Sequence, residues 1–248
     1  MKLRTSMGMI AAGCLVLALS VGVAAAATII GDDADNVLTG TPEADQIDAK
    51  AGNDVVNALG GADLVVAGEG DDQVDAGRGR DEVRGDAGSD SVDGDRGRDR
   101  VLGGEGDDTI AGAEHDDEIL GESGNDTLRG GSDRDLLRGR YGDDREGGGP
   151  GADITYAGTG VDIAFGGPGG DRMFARAQAD VPVSGADTIF SGSGGDVVFV
   201  RDGEADVVGC GSGRDLVFAD SEDVIRRSCE RVRVGEPRPA DDDGEVGS

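Results

Sequence analysis

The sequence predicts an all-β fold in which one short unit is repeated and stacked along most of the 248 residues. Aspartate recurs at every ninth position from Asp45 to Asp171, fifteen times without a slip, and chance placement cannot produce such a run. The chain also has 47 glycines, no Trp and few Phe and Tyr, so it cannot build a conventional core of large side chains.

Each unit combines a glycine-rich turn with a three-residue strand. The copy from Gly103 to Ala111 reads Gly-Gly-x-Gly-x-Asp-x-apolar-x, and we number its positions one to nine, with aspartate at six. Position eight is Val, Ile or Leu in every copy from Leu38 to Leu137, and we expect it to be the one core residue of each unit. Nine residues cannot bury that side chain alone, so successive units must stack.

The charge of the chain indicates what it can bind. Fifty-two acidic residues against 23 basic ones give a net charge of −29. This balance argues against nucleic acid or an anionic membrane surface as a partner and favours bound cations. An acidic chain poor in aromatics is also typical of disorder, and that alternative stays open for the metal-free state.

Residues 1–27 have the layout of a secretory signal peptide. A basic start precedes an apolar run from Met9, and four alanines end the segment, which predicts cleavage near Ala26 or Ala27 and a secreted protein with no membrane insertion afterwards. The alternative is an uncleaved anchor, because about 20 apolar residues can span a bilayer. A lipid-modified Cys14 is a weaker alternative, because the apolar run continues past it.

The repeat resembles the calcium-binding RTX, or hemolysin-type, nonapeptide from about Gly31 to Val224. The resemblance implies a right-handed parallel β-roll (a β-solenoid) with two nonapeptides per 18-residue coil. It also implies Ca2+ in the turns, held by aspartate carboxylates and backbone carbonyls. The chain departs from many relatives because we find no catalytic or toxin domain beside the repeats, and because its export signal is N-terminal.

The regularity of the repeat divides the chain. We predict a regular roll over residues 28–147, a less regular continuation with aromatic ladders and a cap over 148–232, and a disordered acidic tail over 233–248. The pattern weakens after Leu137, where Glu146 and Thr155 occupy position eight, and residues 175–185 disturb the spacing.

Stacked aspartates predict the calcium sites. Calcium takes 6–8 oxygen ligands, and carboxylates about 4.8 Å apart on successive strands repel each other unless a cation lies between them. With two units per coil the aspartates form two rows. The first row, with its position-four glycines, holds Asp54, Asp72, Asp90, Asp108, Asp126, Asp144 and Asp162 with Gly52, Gly70, Gly88, Gly106, Gly124, Gly142 and Gly160. The second row holds Asp45, Asp63, Asp81, Asp99, Asp117, Asp135, Asp153 and Asp171, of which Asp45, Asp63, Asp153 and Asp171 are our ligand candidates.

The two rows differ in their turns. The first keeps glycine at position four throughout, which favours a continuous row of calcium ions. The second has lost that glycine three times, once to His115, and carries Arg80, Arg98 and Arg134 at position five. We hypothesise that these arginines partly replace the ion by pairing with neighbouring carboxylates. Drift without function is the alternative to this asymmetry, and an acidic solenoid that needs no metal is the alternative to calcium binding.

Two cysteines predict a disulfide near the end of the repeats. Cys210 and Cys229 are 19 residues apart, close to one coil, which places them on adjacent coils within bonding range. A pair in an exported protein is more often bonded than free, and the bridge would secure the last coil.

Six aromatic residues follow an aspartate at the same distance. They are Tyr156, Phe165, Phe174, Phe190, Phe199 and Phe218, all at position nine. Position nine faces away from the interior, so these rings are candidates for a surface that binds a protein, a glycan or a second copy. Packing of the rings on one another along the sheet is the alternative.

The residues do not indicate catalysis. His115 is the only histidine, and it replaces a turn glycine. A row of identical acids lacks the different environments that acid–base roles require. We therefore predict a non-enzymatic, calcium-dependent β-roll that acts outside the cell as a binding or structural module. The alternative is an accessory or remnant module of a hydrolase or epimerase whose catalytic part lies on another chain.

Overall fold

The computed structural model describes residues 25–176 and 185–235. Most of the predicted signal peptide and of the predicted tail, and the centre of the 175–185 segment, lie outside these ranges. The described residues contain strands and turns and no helix, in agreement with an all-β fold. Across the same ranges we find no helix of the length and apolarity needed to cross a bilayer.

The strands are short and numerous, as the nine-residue repeat predicts. The first fourteen are β1 Thr28–Ile30, β2 Val37–Thr39, β3 Gln46–Asp48, β4 Val55–Asn57, β5 Gly60–Gly61, β6 Leu64–Glu69, β7 Gln73–Asp75, β8 Arg78–Gly79, β9 Glu82–Ala87, β10 Ser91–Asp93, β11 Arg96–Gly97, β12 Arg100–Glu105, β13 Thr109–Glu114 and β14 Glu118–Ser123. The others are β15 Thr127–Ser132, β16 Leu136–Tyr141, β17 Arg145–Gly147, β18 Ile154–Thr159, β19 Ile163–Gly169, β20 Arg172–Arg176, β21 Thr188–Gly194, β22 Val197–Val200, β23 Val207–Gly209, β24 Ser212–Gly213, β25 Leu216–Ala219, β26 Val224–Ile225 and β27 Arg231–Val234.

Alternate strands form two parallel sheets. Sheet A runs β1-β3-β6-β9-β12-β14-β16-β18-β20-β22-β25-β27, and sheet B runs β2-β4-β7-β10-β13-β15-β17-β19-β21-β23-β26 with four short strands beside this path. Partners in the regular part are 18 residues apart, as in the pairing of Val92 with Ile110. The chain is therefore a parallel β-solenoid with two nonapeptides per coil, as the resemblance implies.

The interior receives more of each repeat than the sequence pattern suggested. Position-eight side chains such as Ile110 are fully buried, as predicted. Position one also points inward, and it carries buried Ala49, Ala58, Ala67 and Ala76 in the early coils. The expectation of one core residue per repeat is wrong. Many strands run for six residues, from position seven to position three of the next repeat, and because side chains alternate along a strand they bury positions eight and one.

Left-handed backbone defines the turns. The position-four glycines of the first row all have φ between 111° and 137°, a region that glycine enters without a steric cost. Position two adopts the same conformation in most copies, and this was not apparent from the sequence, because in seven of them the residue in this conformation is not glycine. Those seven are Lys50, Leu59, Asp86, Asp95, Ala113, Glu122 and Arg140.

The hydrophobic core is divided into two clusters. The first extends from Ile29 to Leu137 and the second from Ala164 to Cys229. Beyond Asp162 and Asp171 the hydrogen-bonded partner aspartates lie 25 residues on instead of 18, because the 175–185 segment adds seven residues to one coil. The stack nevertheless continues on both sheets through this insertion.

The aromatic residues stack on one another along the sheets. Tyr156, Phe174, Phe199 and Phe218 form one ladder, with ring centroids 4.6–4.9 Å apart, and Phe165 stacks on Phe190 at 5.3 Å. The prediction of exposed rings is wrong for Phe174, which is buried between two rings. The other five are half-buried, because a ring on a parallel sheet covers its neighbour.

The predicted disulfide is confirmed. Cys210 and Cys229 are bonded, with their Cα atoms 5.0 Å apart. Cys210 is buried in the second hydrophobic cluster, and Cys229 packs against it. The bridge joins the chain beside β23 to the segment that leads into β27, so it secures the last coil of the stack.

Candidate metal centre

The position-six aspartates form two hydrogen-bonded ladders inside the solenoid. Oδ1 of each aspartate accepts a hydrogen bond from the backbone N–H of the equivalent residue on the preceding coil, as Asp126 does from Asp108 at 2.8 Å. These bonds are 2.7–2.9 Å long in the first row and 2.6–2.9 Å in the second. The first row lies where the chain passes from sheet A to sheet B, and the second where it returns.

The second carboxylate oxygen has no partner in all but the first of these aspartates, Asp45, whose Oδ2 accepts the N–H of Thr41. Oδ2 is buried and accepts no hydrogen bond in all seven aspartates of the first row and in those of the second from Asp63 to Asp171. The residues themselves are at most 4% exposed. An ionised oxygen that is buried without a donor or a cation is energetically costly, so each repeat presents one strong acceptor that the protein leaves unsatisfied.

Burial raises the pKa of these carboxyl groups. The pKa of Asp108 rises to about 7, chiefly by burial, and the Asp126 and Asp90 carboxylates add to the rise, while the hydrogen bond from the Asp90 N–H opposes it. The pKa of Asp117 in the second row rises to about 7 for the same kinds of reason. In both rows the ionised form of these carboxyl groups is therefore unfavourable unless a cation lies nearby, and without one the groups bind a proton more readily.

Backbone carbonyls lie close to the unsatisfied oxygens. A Cβ built on Gly85, at position one, would lie 2.1 Å from Oδ2 of Asp90 and 2.5 Å from the carbonyl oxygen of Gly103, so these two oxygens are at most 4.6 Å apart. Two ligands of one calcium ion, each about 2.3–2.6 Å from it, can have that separation. The residues thus fit the cation that the resemblance implies. Glycine at position one keeps this space free of a side chain from Gly85 to Gly148, whereas the coils from Ala49 to Ala76 have alanine there.

The ligand set must rely on the backbone. In the described ranges no three His, Cys, Asp or Glu side chains converge as a metal-binding group. Each turn has one buried carboxylate, so carbonyl oxygens would have to contribute most of a shell of 6–8 ligands. The glycine-rich turn predicts this combination of an aspartate carboxylate with backbone carbonyl oxygens.

The two rows are alike at position six and differ at position five. In the first row the side chains of Asn53, Asp71, Asp107, Asn125 and Asp143 accept the backbone N–H of position five on the next coil. This outer ladder was missed, although the Asn, Asp and Ser pattern at position five could have indicated it.

Of the three arginines hypothesised to pair with neighbouring carboxylates, Arg98 does so, but not with an aspartate of the buried row. Arg98 pairs with Asp116 on the next coil at 2.9 Å, an exposed contact at position five rather than at the buried row. Among the described residues Arg80 and Arg134 form no ion pair. His115 and Asp133, which replace position-four glycines in this row, have φ of 85° and 80° and retain the left-handed turn without glycine.

The comparison with protein families agrees with this geometry. The family described as RTX calcium-binding nonapeptide repeat (4 copies) matches residues 30–65, 57–92, 66–101, 93–128, 120–145, 147–182 and 184–204. No curated protein shows significant similarity to the chain. The family matches cover more than half of the chain and coincide with the coils that carry the aspartate ladders. The chain therefore belongs to the RTX calcium-binding nonapeptide repeat family.

Proposed function

We propose that this protein is a secreted calcium-binding β-roll, that its folding is coupled to Ca2+ binding, and that it serves outside the cell as a binding or structural module. The observation that carries the proposal is the pair of aspartate rows, with one buried, unpartnered carboxylate oxygen per repeat. Bound calcium would supply the positive charge that these rows lack.

Charge explains why folding would depend on the ion. Neighbouring aspartates in a row are held one coil apart by their own hydrogen bonds, so closing the stack brings their charges together. One large apolar side chain per nine residues gives little opposing stabilisation, since ordering the backbone costs about 1–2 kcal/mol per residue. A ligand that binds the folded state alone stabilises it by mass action, which makes binding and folding one process.

The test is the far-UV circular dichroism of the protein at neutral pH, first with EDTA and then with millimolar calcium. We expect a weak β signal in EDTA, because the metal-free fold is only marginally stable at neutral pH, and a strong increase of that signal when calcium is added. Magnesium at the same concentration is the control, because it demands near-octahedral geometry and dehydrates reluctantly. A β-rich spectrum that EDTA leaves unchanged would contradict coupled folding.

The first row is proposed as the stronger calcium row, because its turns keep glycine at position four and carry the outer ladder. Replacing Asp108 and Asp126 by Ala should then raise the calcium concentration needed for folding more than replacing Asp81 and Asp99. The two double variants are matched, since each removes two buried aspartates from adjacent coils of one row. Equal effects would show that the rows bind calcium alike.

Secretion is proposed from the N-terminal segment and from the disulfide, because disulfides persist in oxidising compartments outside the cytosol. N-terminal sequencing of the protein from culture medium should begin near Thr28. A chain that stays with the cells and begins before residue 24 would indicate an anchor instead.

A further inference from the structure

One coil of the solenoid carries polar residues where every earlier coil is apolar. Glu146 lies between Leu128 and Ala164 on sheet B, and Thr155 lies between Leu137 and Met173 on sheet A. Both occupy position eight, both are 1% exposed, and their side chains separate the two hydrophobic clusters.

The polar atoms of this layer are unsatisfied. Neither carboxylate oxygen of Glu146 has a hydrogen-bond partner, and neither does the hydroxyl oxygen of Thr155. An ionised carboxylate in such a place costs several kcal/mol unless it is compensated. Burial, followed by the nearby Asp162, Asp144 and Asp187 carboxylates, raises the pKa of Glu146 well above its usual value.

Oxygens converge at this layer. A Cβ built on Gly139 would lie 2.2 Å from Oδ2 of Asp144, 2.3 Å from the carbonyl oxygen of Ala157 and 2.7 Å from Oε1 of Glu146. These are its three nearest heavy atoms, and all belong to different residues. Three oxygens from two strands and a turn therefore converge beside one glycine.

At the position-one glycines of other coils, only one of these nearest atoms is a side-chain oxygen. At Gly121, the equivalent residue one coil earlier, the built Cβ meets Oδ2 of Asp126 at 2.2 Å and the Gly139 carbonyl at 2.9 Å, with a carbon atom as its other close neighbour. The difference comes from position eight, where that coil has Leu128 and this one has Glu146. The repeat pattern does not supply this ligand.

We propose that Glu146 is an internal ligand of the calcium ion at the Asp144 turn, so that Glu146, Asp144 and the Ala157 carbonyl form a site with a second carboxylate that joins the two hydrophobic clusters. The donors are all oxygens, two of them carboxylate, which suits a hard divalent cation such as calcium. The ion would enter while the coil closes, so a buried position requires no channel. This inference rests on the proposed calcium binding by the roll.

Native mass spectrometry of the full protein in calcium tests the site, because it counts bound ions. As the calcium concentration is lowered, we expect Glu146→Gln and Glu146→Leu each to lose one ion that the wild type retains, while Glu105→Gln, an exposed control, behaves as the wild type. Glu146→Leu restores the apolar residue of the repeat, so misfolding would not explain its loss. Its thermal midpoint in EDTA should rise, since a buried carboxyl is removed.

The outcomes separate the two proposals. If the wild type binds several ions and both Glu146 variants retain as many at every calcium concentration, Glu146 does not contact an ion, and the internal site is refuted while calcium binding stands. If the wild type binds no calcium at all, the proposed function fails and the internal site fails with it.

Discussion

Replacing Asp108 by Asn should change stability in opposite directions with and without calcium. Asparagine keeps an oxygen for the N–H of Asp90 and removes the buried charge. The pKa of Asp108 is raised from 3.8 to about 7, a difference of about 3 units, which corresponds to at most about 4 kcal/mol of cost when the group is ionised in the metal-free fold. The metal-free variant should therefore be more stable than the wild type above pH 7.

With calcium the same substitution removes a ligand. At about 10 mM calcium, roughly 10–100 times the dissociation constants typical of extracellular sites, one site adds about 1.4–2.7 kcal/mol to the free energy of unfolding. The variant should lose a stabilisation of this order. Urea unfolding followed by far-UV circular dichroism, in EDTA and in calcium, measures both changes.

The control is Asp107→Asn, which alters the adjacent but exposed position five and keeps its ladder acceptor. We expect this variant to change stability by no more than about 0.5 kcal/mol in either condition. The reasoning is refuted if Asp108→Asn shifts stability in the same direction with and without calcium. Stabilisation in both conditions would show that Asp108 is not a ligand, and destabilisation in both would show that its charge is not a cost in the metal-free fold.

Three further predictions concern pH, the turns and the cap. Without calcium, stability should be greatest near pH 4 and fall as pH rises through about 6–7, because the folded-state pKa values of the buried aspartates are raised; thermal melts in EDTA that rise with pH would contradict this. His115→Gly should add about 1 kcal/mol in urea unfolding by relieving a φ of 85°, whereas His115→Ala, which keeps the strain, should not. Replacing Cys210 and Cys229 by Ser should cost about 2–4 kcal/mol, with calcium present or absent, and an unchanged urea midpoint would show that the bridge does not secure the coil.

Much of the fold could be predicted from the sequence because the repeat places equivalent residues in register. A spacing of nine with aspartate at six and an apolar residue at eight is sufficient to predict parallel strands 18 residues apart and rows of carboxylates. The disulfide could be predicted from the length of one coil, because the sequence separation of Cys210 and Cys229 is close to that length.

The sequence could not reveal the contacts made across coils. Periodicity does not tell which oxygen of Asp108 meets a backbone N–H and which remains free, because that depends on the rotamer inside the turn. It also did not show that Phe174 would be buried by its own neighbours, or that residues such as Leu59 adopt left-handed backbone. In each case the tertiary stack overrides the local preference of the residue.

Each strand on the main path of either sheet pairs only with the strands one coil before and one coil after it. A molecule connected in this way behaves as a one-dimensional chain of nearest neighbours rather than as a single cooperative globule. We expect its folded length to respond gradually to calcium, with coils added or lost at a boundary that moves along the axis. Glu146 and Thr155 interrupt the apolar contacts between neighbours, so that boundary should pause at their coil.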